Sequence, residues 1–135
     1  MDGLPPKDLF LQSVKRCTAS SGFIPAFYNR FLNSSEEIRK KFRFTDFDKQ
    51  HQMLTRSLEL CVGATAGDPD SLAEMRQRAT SHDRDHLNIE PRWYDSWLET
   101  IIATARDFDD QWSDEVESAW RTILGHVVGY MIRKY

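Results

Sequence analysis

Apolar and polar positions alternate along the chain with a helical period almost throughout. Leu9, Phe10, Val14 and Cys17 recur at three- and four-residue spacing after Pro5-Pro6, a pair that suits a helix start. Phe23, Phe27, Phe31 and Leu32 keep the same period until Asn33-Ser34 breaks it. Ser34 with Glu37 reads as a capping box for a short helix ending near Phe42. Asp46 opens a longer segment with Gln50, Leu54, Ser57, Leu58 and Cys61 on one face, ended by Gly63, Gly67 and Pro69. A second capping box, Ser71 with Glu74, leads into a helix carrying Leu72, Met75, Ala79, His82 and His86. Pro91 sits as a first-turn proline ahead of Trp93, Trp97, Leu98, Ile101 and Ile102. A last helix follows Ser113, with Val116, Trp120, Ile123, Leu124, Val127, Val128 and Met131 on its inner stripe. No period-2 run with turn chemistry occurs, so the pattern predicts an all-α fold without a sheet.

Length and composition narrow this picture. The 135 residues fit one compact domain, 1–135, with no repeat, linker or low-complexity tract. Hydrophobic residues at 40% and charged residues at 29% exclude a disordered chain. A net charge of -3 argues against general nucleic-acid or anionic-membrane binding. The longest uncharged stretches, Cys17–Asn29 and Thr122–Ile132, fall short of the roughly 20 apolar residues of a membrane span. Met1 to Gln12 lacks an apolar core of signal-peptide type. Two cysteines, Cys17 and Cys61, are too few for a disulfide framework and suit a reducing cytoplasm. What stands out is the aromatic share of 12%, with four Trp, four Tyr and eight Phe. So many flat rings need something to pack against.

Three features could carry chemistry. On a helix, Leu72, Met75, Ala79, His82 and His86 fall within an arc of roughly 80°, which turns an imidazole inward among apolar side chains. Such a ring is either hydrogen-bonded in the core or a ligand. The segment Phe42-Arg43-Phe44-Thr45-Asp46-Phe47 sets three phenylalanines in a charged connection, where they plug a bundle end or cover a flat macrocycle. Tyr28, between Phe27 and Phe31, and Gln50, four residues before Leu54, put polar groups where the period expects apolar ones. They bond each other or the backbone, or they line a small cavity as donors. The pair His82 and His86, with Asp83 and Asp85, has part of a zinc-type spacing, but the acids project about 100° away from their neighbouring histidines. No glycine-rich phosphate loop occurs, and Ser81 beside His82 on one helix is not expected to form a nucleophilic pair.

Taken in order, these pieces resemble single-domain bacterial globins, related to the globin part of flavohaemoglobins and to sensor globins. The likeness runs from about Phe10 to Ile132. It is carried by Phe27-Tyr28-Asn29-Arg30-Phe31, Glu37-Ile38-Arg39-Lys40-Lys41-Phe42, Gln50 with Leu54, Ser81-His82, Ile89-Glu90-Pro91-Arg92-Trp93-Tyr94 and Ala119-Trp120-Arg121. Tyr28 and Phe42 are 14 residues apart (42 − 28), and Gln50 and His82 are 32 apart (82 − 50), the separations expected in such globins.

The resemblance implies a globin fold, a 3-over-3 helical sandwich around haem b. His82 would be the proximal iron ligand, its ring fixed through the other nitrogen by Ser81 or by a carbonyl near Arg78. His86 as the ligand would stretch the distance from Gln50 to 36 residues (86 − 50), which favours His82. Phe42 would stack on the porphyrin, with Phe44, Phe47, Leu54, Ile89 and Tyr94 around it. Tyr28 and Gln50 would donate hydrogen bonds to bound O2, and Arg84, His86 and Lys49 are candidates for the propionates. His51, next to Gln50, could rotate over the iron to give a bis-histidine state. Relatives of the flavohaemoglobin type pair the proximal histidine with a Tyr and a last-helix Glu. Tyr94 fits the former, but no acidic residue follows Glu117. The implied function is reversible O2 binding, with NO or CO as further ligands, for transport or sensing. NO dioxygenation with an external reductase and a haem-free regulatory role are the alternatives. Trp93, Trp97 and Trp112 are core or a dimer surface.

Overall fold

The computed structural model describes residues 4–135; the first three residues of the Met1–Gln12 stretch lie outside it. Among the described residues there are seven helices and no strand, as the apolar period predicts. They are α1 (Pro6–Thr18), α2 (Phe23–Leu32), α3 (Glu36–Lys41), α4 (Phe47–Thr65), α5 (Pro69–His82), α6 (Pro91–Phe108) and α7 (Asp114–Arg133). No helix among them is long and apolar enough to cross a membrane.

The helix starts follow local chemistry. Prolines occupy the first turns of α1, α5 and α6, where a missing N–H costs nothing. Asp46 accepts the N–H groups of Asp48 and Lys49 to cap α4, and Ser113 accepts that of Val116 to cap α7. Two expected capping boxes are displaced. Ser35, not Ser34, caps α3 by accepting the Ile38 N–H, while the Ser34 hydroxyl donates back to the Phe31 carbonyl and closes α2. Asp68, not Ser71, caps α5; Ser71 donates both its N–H and its hydroxyl to the Asp68 carboxylate. Gly63 does not end α4 either, because the helix continues to Thr65 and the chain turns at Gly67, whose φ of +84° suits glycine.

Buried side chains form two clusters. The larger joins α1, α2, α6 and α7 through Phe10, Phe27, Ile101, Trp120 and Leu124, with α4 contributing Leu54 and Leu58. Phe10 meets Trp120 edge-on at 4.8 Å between ring centres. A smaller cluster of Leu60, Met75, Ala79 and Met131 attaches α5 to α4 and α7. At its far end α5 comes closer still. A Cβ built on Gly63 would lie 2.9 Å from the Ser71 Cβ, so only glycine allows this approach of α4 to α5.

One polar cluster crosses the larger core. Asp109, its side chain fully buried, takes Arg16 through Nε at 2.5 Å and Nη2 at 2.9 Å, and the Ser13 hydroxyl at 2.6 Å. Ser13 in turn accepts the Trp120 Nε1–H at 2.8 Å. Burial alone would raise the Asp109 pKa, but the bonds from Arg16, Ser13 and the Gln111 N–H outweigh it and hold the carboxyl below its usual range. The cluster ties α1 to the α6–α7 corner and to α7.

A depressed folded-state pKa stabilises above the ordinary carboxylate range and loses that contribution as pH falls through the folded value. The stability difference between the parent and Asp109→Ala, read by urea unfolding, should therefore hold steady from neutral pH to about 5 and shrink as pH falls below about 4. Asp109→Ala should itself cost about 2 kcal/mol at pH 7, since it leaves the buried Ser13 hydroxyl and the partly exposed Arg16 without their acceptor. For Gly63→Ala, the gain of about 1 kcal/mol in helix propensity is outweighed by the about 1–3 kcal/mol of overpacking against Ser71. Its denaturation midpoint should fall.

Candidate functional site

Between the two clusters lies a cavity of about 190 Å³ that opens to the surface. Both clusters line it: Phe31, Ile38, Leu54 and Cys61 from the larger, Leu60, Met75 and Met131 from the smaller. Its polar groups are few, with Tyr28, Gln50, Ser57, Lys41, Arg78 and His82 among them.

His82 is the last residue of α5. Its Nδ1 lies 2.7 Å from the Arg78 carbonyl oxygen, one turn earlier. A carbonyl only accepts, so Nδ1 carries the proton and Nε2 carries the lone pair. Ser81 Oγ lies 3.0 Å from the same nitrogen while donating to the same carbonyl at 2.9 Å. Both groups expected to fix the ring through its other nitrogen, the Ser81 hydroxyl and the carbonyl of Arg78, thus meet at Nδ1, and the hydroxyl does not reach Nε2. Burial lowers the His82 pKa; the Arg78 carbonyl opposes that shift, and the Arg78 charge reinforces it. The ring is neutral at pH 7. The loop after it folds back, with the Ile89 N–H donating to the His82 carbonyl at 3.0 Å and Asn88 in the left-handed region at φ 54°. That return brings Ile89 to the cavity.

Tyr28, on α2, and Gln50, in the first turn of α4, meet across the cavity wall. Gln50 Nε2 donates to Tyr28 Oη at 3.0 Å. The tyrosine's own proton has only a long contact, 3.4 Å, to the Gln50 backbone carbonyl, and is free to turn inward. Burial pushes the Tyr28 hydroxyl up to about 12 against the opposing Gln50 bond, so it stays a donor. Phe42 caps α3 and touches Tyr28 and Phe31 edge-on, each at 6.1 Å.

The structure thus brings His82, Tyr28, Gln50, Phe42, Leu54, Ile89 and Tyr94 to one cavity. Tyr94 joins it beside the smaller cluster, and burial lifts its hydroxyl to about 12. Other expected residues lie elsewhere. Phe44 is 90% exposed under the Arg43 guanidinium, because α3 ends before it and the connection turns outward. Phe47 opens α4 and packs behind Phe42 and Tyr28 rather than on the cavity. Arg84 is engaged with Tyr135, through its backbone carbonyl and its ring. His86 is off the helix that was expected to carry it, since α5 stops at His82, and its Nδ1 pairs with Asp83 at 2.7 Å. Lys49 is exposed on α4 and does not line the cavity. His51 stacks on the outer face of Tyr28, 5.2 Å between ring centres and 15° from parallel, also outside the cavity lining. Trp93 and Trp97 line the cavity, whereas Trp112 packs against Trp120.

Sequence reasoning missed the side chains of Arg78 and Lys41. Arg78 stands one turn before His82, and Lys41, which lines the cavity, donates to the Leu87 carbonyl at 2.9 Å. Their sequence signal was a cation next to each key residue, at i−4 from His82 and i−1 from Phe42.

A neutral imidazole with a free Nε2 lone pair, set in an apolar cavity with flat rings in its walls, fits the donor set of haem iron. Neither family models nor curated protein sequences match this chain. A solved structure does: protein PA3967 of Pseudomonas aeruginosa PAO1, described as structurally highly homologous to a human hemoglobin. It superposes with a TM-score of 0.92 at 34% sequence identity, covering 97% of this chain and 98% of its own. With that identity over nearly the whole of both chains, and a haemoglobin-like arrangement of its helices, the chain belongs to the single-domain bacterial globins.

Proposed function

We propose that the chain is a haem-b protein that reversibly binds a diatomic gas, O2 foremost, with NO and CO as further ligands. The observation that carries this reading is His82, whose Nδ1 is tied to the Arg78 carbonyl so that Nε2 is left for a metal, in the cavity that also holds Tyr28 and Gln50. Bound there, haem supplies an iron centre able to coordinate the gas. The rest is supplied by the chain. His82 is oriented by a backbone carbonyl, and its neutrality keeps Nε2 available at pH 7. Phe42, Leu54 and Ile89 line the cavity with apolar surface and keep water from it. Gln50 occupies one lone pair of the Tyr28 oxygen, which turns that hydroxyl into the inward donor and makes Gln50 its support.

Among the described residues no carboxylate bonds His82, and the Arg78 carbonyl takes that place. A carbonyl draws the Nδ1 proton less than a carboxylate does, so the imidazole donates less electron density. This favours gas binding over oxidative turnover.

Haem titrated into the purified chain should produce a Soret band saturating at one haem per chain, shifting on reduction and addition of CO. A chain that binds no haem contradicts the reading. Tyr28→Phe removes the inward donor, a bond of about 1.5–3 kcal/mol to a charged acceptor. O2 should then dissociate on the order of 10-fold faster or more, at about 1.4 kcal/mol per decade. An unchanged off-rate shows that Tyr28 does not contact the gas.

A further inference from the structure

We propose that Arg78 is a positioning residue: its guanidinium braces α5 against α4 and so sets where His82 stands in the cavity. The inference rests on His82 being the haem ligand. The Arg78 backbone holds the His82 ring through the 2.7 Å bond to Nδ1. Its side chain runs the other way, onto α4, where Nη1 donates to Ser57 Oγ at 2.5 Å. Ser57 cannot swing freely, since its hydroxyl donates to the Met53 carbonyl at 2.7 Å and offers its lone pairs to Arg78. Nη2 of Arg78 donates to Glu74 at 3.1 Å, and the second Glu74 oxygen accepts Arg56 from α4, also at 3.1 Å. Two polar links therefore cross from α4 to α5, and one of them starts from the residue that orients His82.

The two links differ in worth. Arg56 is exposed, and an exposed ion pair contributes little. The Arg78 side chain is only 21% exposed and lines the cavity wall. A residue needed there for packing alone would be apolar, because a cation in such a wall costs free energy unless its donors are met. Arginine has the planar fork that meets two partners at once, one on each helix. Because α4 also carries Gln50 and Leu54, the brace fixes the wall bearing His82 relative to the wall bearing the gas-facing side chains.

The test uses the haem-loaded protein with Arg78→Met, Arg78→Lys and Ser57→Ala. Its readouts are the iron–histidine stretching band of the ferrous form, by resonance Raman, and the rate of haem loss to excess apomyoglobin. Arg78→Met should shift and broaden the band and speed haem loss about 10-fold, as loss of an orienting partner does. Ser57→Ala should shift the band in the same direction by less. Arg78→Lys, a point charge that meets one partner, should fall between. An unchanged band in both Arg78→Met and Ser57→Ala, with the Soret band intact, overturns the brace. If Arg78→Met unfolds by circular dichroism, Ser57→Ala decides alone. A parent protein with no Soret band contradicts the haem reading itself, and the brace with it.

Discussion

Everything at the site depends on how α5 is held: close enough to α4 to be rigid, far enough from the larger core to leave a cavity. A helix that packed its whole inner face onto that core would bury more apolar surface and leave His82 with nothing to face. Instead α5 is joined at its ends. At one end Gly63 lets the backbone of α4 approach Ser71; at the other, Arg78 reaches Ser57 and the loop 83–90 folds back onto the His82 carbonyl. Between them, Leu60, Met75, Ala79 and Met131 form a small apolar contact of their own. The cavity is the gap that this arrangement leaves. The larger core can tolerate it because the remaining helices are locked together elsewhere, most firmly where Asp109 gathers Arg16 and Ser13.

Within the gap, burial does the chemical tuning. It keeps His82 neutral and Tyr28 protonated, the state in which each is useful: a lone pair on one, a proton on the other. Neither side chain is left to choose its orientation. The Arg78 carbonyl decides which His82 nitrogen is free, and the Gln50 amide takes one lone pair of the Tyr28 oxygen. Backbone and amide dipoles do this orienting, while the Arg78 guanidinium nearby adds a positive charge that favours the neutral imidazole.

Much of this was legible in the sequence, for identifiable reasons. The helices follow from a strong 3.6-residue period, and the cavity's opposing polar groups, His82, Tyr28 and Gln50, showed themselves as polar residues on apolar faces. Local signals failed where two of them competed. Ser34 and Ser35 both precede acidic residues, and the capping-box spacing pointed to the one that instead closes α2. Asp68-Pro69 is a helix start that looked like the end of the helix before it. The period also carried His86 onto α5, because no glycine or proline marks the stop after His82. Phe44 was grouped with Phe42 by composition, yet only Phe42 is held by the end of α3. What no local pattern contains is pairing across long separations. Ser13 and Asp109 are 96 residues apart, and Arg78 meets Ser57 only because two helices cross.

We propose His82 Nε2 as the atom that takes haem iron, since Nδ1 is tied to the Arg78 carbonyl. The most direct measurement is a haem titration of His82→Gly with and without free imidazole, followed by the absorption spectrum of the ferrous protein. His82→Gly should lose the five-coordinate histidine-type ferrous spectrum, and imidazole, entering the vacated space, should restore it. A ferrous spectrum in His82→Gly identical to that of the parent protein, with no response to imidazole, would contradict it.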